Sequence, residues 1–265
     1  MGVLNVTPDS FSDGGMHLDA GRAVAAGLKM TGEGAVIIDV GGESTRPGSA
    51  PTSPEEERRR VIPVVRGLAA QGVCVSIDSR NAATMRAALD AGARIVNDVS
   101  ALAYDPDALR VVAEAGCPVV LMHMRHDPAT MTALAHYDDV AAEVTAELAA
   151  RIAAAEAAGI ARCNIAVDPG IGFAKTPEDN LALLPRLSLL RALGCPIVVG
   201  VSRKLFIGKL TGVVEPHRRV AGSIAAGLFA VAHGAAILRV HDVGPTMEAL
   251  RVWNGLTRYA EVNRR

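Results

Sequence analysis

Aromatic side chains are scarce in this chain: Phe, Tyr and Trp make up 3% of its 265 residues. A core built on stacked rings is excluded, and so is a nucleic-acid surface in which basic and aromatic residues interleave. No charge sign dominates either, since 27 Lys and Arg face 28 Asp and Glu. That balance argues against an electrostatic footprint for nucleic acid or a membrane surface. No apolar run approaches the ~18 residues that a spanning helix needs. The start, Met1-Gly2-Val3-Leu4-Asn5, has neither a charged nor an apolar leader region, so a cytoplasmic location is expected. Cysteine is sparse, and Cys74, Cys117, Cys163 and Cys195 contain no CxxC pair. With no disulfide or zinc spacing, all four are expected to be small buried hydrophobes at or just before strand starts. Glycine-rich dinucleotide, P-loop and serine-hydrolase elbow motifs are also missing, which sets those chemistries aside.

What is present is a repeat of short apolar runs. The strand candidates are Val3–Val6, Ala35–Val40, Val73–Asp78, Ile95–Val99, Pro118–His123, Asn164–Asp168, Pro196–Val201 and Ala235–Val240. They are continuous rather than alternating, as expected of parallel strands covered on both faces. Ala-, Leu- and Glu-rich helical stretches separate them. Eight strand–helix units in a chain of this length predict an α/β fold, a single (β/α)8 TIM barrel over residues 1–265.

Helix starts are marked at Ser53-Pro54-Glu55-Glu56, Thr176-Pro177-Glu178-Asp179 and Asp105-Pro106-Asp107. Pro63 is expected to kink or shorten its helix. The run Glu55-Glu56-Glu57-Arg58-Arg59-Arg60 reads as a solvated, self-compensating face. Two long polar loops are expected, Thr7 to about Leu18 after strand one and Gly41 to Ser53 after strand two. Loops of that kind at the barrel's active face organise substrates or close over them.

Nearly every apolar run ends in polar residues, and a barrel gathers those ends on one face. Asp78, Asn97 and Asp168 end three different strands. Two carboxylates and an amide suit a flat ligand with paired N–H donors, such as an aminopyrimidinone. Each Asp taken alone also reads as a cap or structural partner. Ser202-Arg203-Lys204 follows strand seven, and Arg239 and His241 stand two apart at strand eight. With Lys204 they form a positive site for a phosphorylated leaving group. Arg203 reads equally well as a salt-bridge partner. Asn5 supplies a neutral oxygen suited to a Mg2+ ion that takes most of its shell from phosphates and water. His123 reads as a residue that orients neighbours; no second His or Cys lies at ligand spacing.

At this point whole segments resemble one family. Asn5-Val-Thr-Pro-Asp-Ser-Phe-Ser-Asp-Gly-Gly15 and Ile38-Asp-Val-Gly-Gly-Glu-Ser-Thr-Arg-Pro-Gly48 resemble the signature blocks of the dihydropteroate synthases. Ser76-Ile-Asp-Ser79, Val96-Asn-Asp98, Met122-His-Met124, Asp168-Pro-Gly-Ile-Gly-Phe-Ala-Lys175, Ser202-Arg-Lys204 and Arg239-Val-His-Asp242 follow in the same order.

The resemblance implies a transferase of folate biosynthesis. It would join 6-hydroxymethyl-7,8-dihydropterin diphosphate to p-aminobenzoate and release pyrophosphate. It implies pterin contacts at Asp78, Asn97, Asp168 and Lys204, with Arg239 stacked on the ring. Diphosphate and Mg2+ are implied near Asn5, Arg239 and His241, and aminobenzoate near Thr45, Arg46, Pro47, Phe173, Ser202 and Lys204. Asp13 of the first loop joins Arg46, Lys204, Arg239 and His241 as a catalytic candidate. A homodimer is implied too, and the family it resembles is the sulfonamide target. Two departures stand out: Met1 sits directly at strand one, so a less well sealed first strand is expected, and His126 replaces a usual glycine. A related pterin-binding methyltransferase and a barrel that binds without turnover are the competing readings. The first should lack the opening loop motif and Ser-Arg-Lys; the second should lack the leaving-group residues.

Overall fold

The apolar runs are strands in the computed structural model, which describes residues 1–6, 16–43, 52–125, 131 and 135–262. They are β1 (Gly2–Asn5), β2 (Ile37–Gly41), β3 (Cys74–Asp78), β4 (Ile95–Asp98), β5 (Val119–Met122), β6 (Ile165–Asp168), β7 (Val198–Val199) and β8 (Ile237–Leu238). Between them lie α1 (Met16–Gly32), α2 (Pro54–Ala70), α3 (Ala82–Asp90), α4 (Ala108–Ala115), α5 (Val140–Ala157) and α6 (Pro177–Leu183). Helices α7 (Leu205–Thr211) and α8 (Val220–Ala232) precede β8, and α9 (Val243–Val262) follows it. Strands β1 to β6 pair in chain order, all parallel, and β7 pairs with β8. A bridge between Val167 and Ile197 joins β6 to β7, and one between Gly2 and Val240 joins β8 back to β1. The result is the TIM barrel.

Strand one is therefore paired on both sides, against the expectation of a poor seal. Val3 N donates to Val240 O at 2.9 Å, and the Met1 ammonium donates to Leu238 O at 3.0 Å.

Alternation along each strand divides the work. Ile38, Val40, Val75, Ile77, Val96, Leu121, Val167 and Val199 are wholly buried in the hydrophobic core. Each large one contributes roughly 1.5–3 kcal/mol on burial. The other face carries Asp39, Gly41, Ser76, Asp78, Asn97 and Asp168 toward the barrel axis. Register places Asn5, Gly41, Asp78 and Asn97 in one row across four strands.

The helices answer most capping expectations. Ser53 Oγ accepts from Glu56 N at 3.2 Å, and Thr176 with Asp179 forms a complete capping box. Helix α2 continues through Pro63 to Ala70, so the proline does not shorten it. Its buried side, Val61, Val64, Val65 and Leu68, is a helical stripe strong enough to hold the element together.

Four expectations need correction. Glu57 is not solvated: it is fully buried on the inner side of α2, where Thr84 Oγ1 donates to it at 2.6 Å and Asn81 Nδ2 at 2.9 Å. Burial pushes its carboxyl upward, against those bonds. Asp105 does not serve its own helix alone: Oδ1 accepts from Asp107 N at 3.0 Å at the start of α4, as expected, and Oδ2 accepts from Ala82 N at 2.9 Å, capping the neighbouring α3. Cys163 is exposed rather than buried, because it lies on a one-turn 3-10 helix before β6; Cys117 and Cys195 are buried as expected and Cys74 half so. Finally, α1 begins at Met16, earlier than the predicted loop end.

Candidate active site

The floor of the barrel mouth is an ionic cluster. Arg239 Nε donates to Asp39 Oδ2 at 2.6 Å, and its Nη2 donates to Asp78 Oδ2 at 2.5 Å. Asn97 Nδ2 donates to the same Asp39 oxygen at 3.0 Å. Because a carboxylate only accepts, the Asn97 nitrogen must face Asp39, which turns its amide oxygen outward. Asp39 is fully buried, and its other oxygen has no hydrogen-bond partner among the described residues. Burial, with Asp39 as a negative neighbour, pushes the Asp78 carboxyl up to about 7 although Arg239 pulls it down. Asp98, behind the floor, is pushed up to about 6 by burial, while Ser100 and Leu102 donate to it.

The loop after β6 builds the adjoining wall. Asp168 is buried and accepts from Gly170 N at 2.7 Å; burial pushes its carboxyl upward. The Phe173 ring lies 4.0 Å from Lys204 Nζ, a cation–π contact. Gly200 completes the junction, since a Cβ there would stand 4.0 Å from both Arg239 Cβ and Asp168 Oδ2. Asp78, Asn97 and Asp168 thus present acceptors from three strands, with Arg239 and Lys204 beside them.

Strand ends seven and eight meet at Ser202 and His241. The His241 backbone N donates to Ser202 Oγ at 3.2 Å, and Nδ1 lies 3.0 Å from the same hydroxyl. The hydroxyl pairs with Nδ1 as donor in one tautomer and as acceptor in the other, since its two lone pairs can take both N–H groups. Burial, then Arg203 and Arg239, lower the His241 pKa to about 4. His241 is therefore neutral in the free protein, not the third positive charge that its spacing suggested. Arg203 takes the salt-bridge role, donating to Asp242 at 3.0 Å and 2.6 Å. Its backbone is left-handed (φ 61°), a strained state for a non-glycine. Ser223 Oγ, accepting from its N at 2.8 Å, and Arg219, donating to its carbonyl at 3.0 Å, hold the turn that aims Lys204.

Asn5 stands half-buried at the end of β1, in the row of Asp78 and Asn97. Among the described residues no group of three or more His, Cys, Asp or Glu could hold a metal. The donor set here thus fits only an ion coordinated mainly by a ligand's phosphates. Asp13, Thr45, Arg46, Pro47 and His126 lie outside the described residues.

Sequence reading assigned no role to four residues that the geometry brings forward. Asp39 anchors Arg239 and Asn97. Arg219 holds the Lys204 turn. Glu43, paired with buried Arg80 at 3.0 Å, accepts from Thr52 N at 3.3 Å, joining the two ends of the second long loop. Lys175 is buried against His123 at 2.9 Å. The only hint in the sequence was that Asp39, Glu43 and Lys175 fall within the quoted blocks.

Comparison with known proteins fits this geometry. The model of the family described as pterin binding enzyme matches residues 1–241. The dihydropteroate synthase of Mycobacterium leprae is 51% identical over 259 residues, covering 95% of this chain and 91% of the relative. A structure of Xanthomonas albilineans dihydropteroate synthase with 4-aminobenzoic acid superposes with TM-score 0.92 at 52% identity, covering 97% of this chain and 92% of that one. The Xanthomonas albilineans enzyme in complex with 7,8-dihydropteroate gives 0.88 at 50% identity, with the same 97% and 92% coverage. A family match over residues 1–241, with relatives about half identical across nine-tenths of the chain, has one meaning: the chain belongs to the pterin binding enzyme family.

Proposed function

We propose that this chain, as a single pterin-binding barrel domain, joins 6-hydroxymethyl-7,8-dihydropterin diphosphate to p-aminobenzoate and releases pyrophosphate. The product is 7,8-dihydropteroate, and the enzyme is a dihydropteroate synthase. The observation that carries this reading is the three-strand acceptor set of Asp78, Asn97 and Asp168, flanked by Arg239 and Lys204. The aminopyrimidinone edge of a pterin offers N–H donors to match all three. In the free protein Arg239 is committed to Asp39 and Asp78. A pterin that donates to Asp78 would compete for that oxygen and release one arm of Arg239 toward the ring and the diphosphate.

The bond that breaks joins the pterin's methylene carbon to the diphosphate oxygen, which leaves with the electron pair. Arg239 and the His241 imidazole are the groups proposed to face that growing charge. The dihydropterin ring delocalises the positive charge left on the carbon. The arylamine nitrogen then forms the new bond and loses one proton. Its low basicity makes positioning matter more than activation, and Phe173, Lys204, Ser202, Thr45, Arg46 and Pro47 are the proposed positioning set. Asp13 is the proposed contribution of the first loop. Mg2+ held by the diphosphate and Asn5 would supply further charge neutralisation when bound.

A cytoplasmic enzyme fits these substrates; no helix among the described residues is long and apolar enough to cross a membrane. A homodimer is proposed across α8 and α9. Leu228, Val252, Trp253 and Leu256 line an apolar groove there, and Val252 and Leu256 are 60% and 67% exposed. Sedimentation as a monomer at micromolar concentration would remove that part.

The test of function is pyrophosphate release from the dihydropterin diphosphate, with and without p-aminobenzoate, and with Mg2+ or EDTA. Release that needs both, with dihydropteroate formed, is the expected result. Tight pterin binding without release would favour a methyltransferase relative or a binding barrel.

A further inference from the structure

The loop from Asp168 to Lys175 is bent in a way its residues do not favour by themselves. Gly170, Gly172 and Ala174 all have positive φ (67°, 79° and 46°), and the last is not a glycine. Gly170 is pressed so closely on β5's end that a Cβ would stand 1.9 Å from the His123 carbonyl oxygen. Such a backbone persists only where its surroundings over-determine it. Several bonds do so: Asn180 Oδ1 accepts from Gly172 N at 2.7 Å, and Tyr137 Oη donates to Ala174 O at 2.9 Å.

The central one is the Lys175 ammonium. The residue is 8% exposed, and its nitrogen meets Gly170 O at 3.2 Å, Phe173 O at 3.1 Å and His123 Nδ1 at 2.9 Å. Burial lowers the Lys175 pKa to about 7; in its protonated form it has three donors, and here it finds three acceptors. That match requires His123 Nδ1 to be bare, so the imidazole proton is on Nε2, donating to Glu147 at 2.9 Å. Arg125 in turn holds Glu147. A neutral imidazole agrees with the lowering of the His123 pKa to about 4 by burial and by Lys175.

We propose that Lys175 is a positioning residue of the arylamine site, setting Phe173 against Lys204 through the Phe173 and Gly170 carbonyls while His123 and Glu147 fix its own place. This rests on the reading of Phe173 as part of the p-aminobenzoate site. The Lys175 nitrogen bonds Gly170 O, Phe173 O and His123 Nδ1. It faces the loop backbone, and Asp168, one residue before that backbone turns, stays anchored through Gly170 N.

The experiment compares Lys175→Met, Phe173→Ala and the double variant by steady-state kinetics with both substrates. In Lys175→Met the KM for p-aminobenzoate should rise about 10- to 100-fold, the scale of an ångström-sized misplacement. The KM for the dihydropterin diphosphate should change less than about threefold, because the Asp78 and Asn97 floor is untouched. The two single effects should be strongly less than additive, since one acts through the other. If Phe173→Ala leaves the aminobenzoate KM unchanged, the reading of Phe173 fails and takes this inference with it. If Phe173→Ala raises that KM but Lys175→Met does not, or the two effects add, only the positioning role of Lys175 is overturned. Should Lys175→Met not fold, Glu147→Gln carries the test at the half-exposed end of the chain of bonds (41% exposed). A selective rise in the aminobenzoate KM supports the proposal, and unchanged kinetics overturns it.

Discussion

Replacing Arg239 with methionine would leave two carboxylates facing each other without their shared cation. Asp39 is 0% exposed, Asp78 13% and Arg239 22%, so water screens little of the loss. Removing one partner of a buried ionic cluster costs about 3–5 kcal/mol. At about 2–4 °C per kcal/mol for a chain of this size, the melting temperature should fall by roughly 6–20 °C at pH 8. The pH dependence carries the sharper test. Asp78 already titrates near about 7 in the folded protein because burial raises it while Arg239 lowers it. Without Arg239 the folded value moves higher still, whereas the unfolded value stays near ~3.9. A carboxyl whose folded pKa is raised lets the folded state keep its proton longer, so stability falls as pH rises through that window. The deficit of Arg239→Met should therefore be larger at pH 8 than at pH 5.5, where Asp78 is protonated in both proteins. Ligand-free calorimetry at the two pH values measures it, and adding Asp78→Asn should recover part of the loss. A deficit that is the same at both pH values, or below about 2 °C at pH 8, would refute the account of the cluster.

Outcomes for five further variants are expected. His241 is held neutral with a folded pKa of about 4, below its unfolded value, so it draws stability down as pH falls from ~6.5 toward 4; His241→Asn should flatten that acid slope in urea titrations, and an unchanged slope would count against a neutral ring. Gly170→Ala should fail to fold or lose several degrees in melting temperature, since its φ is 67° and its Cβ meets backbone at 1.9 Å. Gly172→Ala should cost less and still fold with altered kinetics, because its φ of 79° brings the same backbone strain but its Cβ meets only the flexible Lys204 chain at 3.1 Å; equal losses in the two glycine variants would contradict this. Lys204→Ala should lower kcat/KM by about 100-fold or more while the melting temperature stays within a few degrees, and near-normal kinetics would remove Lys204 from the site. Arg46→Ala should raise the KM for p-aminobenzoate more than that for the diphosphate; equal rises would argue against its assignment.

The barrel was legible because its signals are local. Each β strand announces itself as a short apolar run, and Ser53 and Thr176 announce the helices that follow them. Both properties belong to neighbours in the chain, whose periodicity and capping need no distant partner. The polar strand ends were legible for the same reason: once strands are parallel, Asp78, Asn97, Asp168 and Arg239 must share one face.

What a residue becomes on that face is another matter, because it depends on contacts between residues far apart in sequence. Arg239 finds Asp39 and Asp78 at separations of 200 and 161 residues. Glu57 reads as one more charge on a solvated helix, yet Asn81 and Thr84 receive it in the interior. Asp105 sits in a helix-start pattern and caps a second helix besides. His241 has the spacing of a cation and is neutral, because burial outweighs nearby Asp242 while Arg203 and Arg239 repel its proton. Lys175 looked like the end of a motif and is a buried hub.

The sequence by itself determined the strand count, the helix starts, the family and the residues that reach the barrel mouth. Only the tertiary structure decided which of them are buried, which pair, and which carry charge there. Desolvation and ion pairing are properties of the packed interior, not of any stretch of chain.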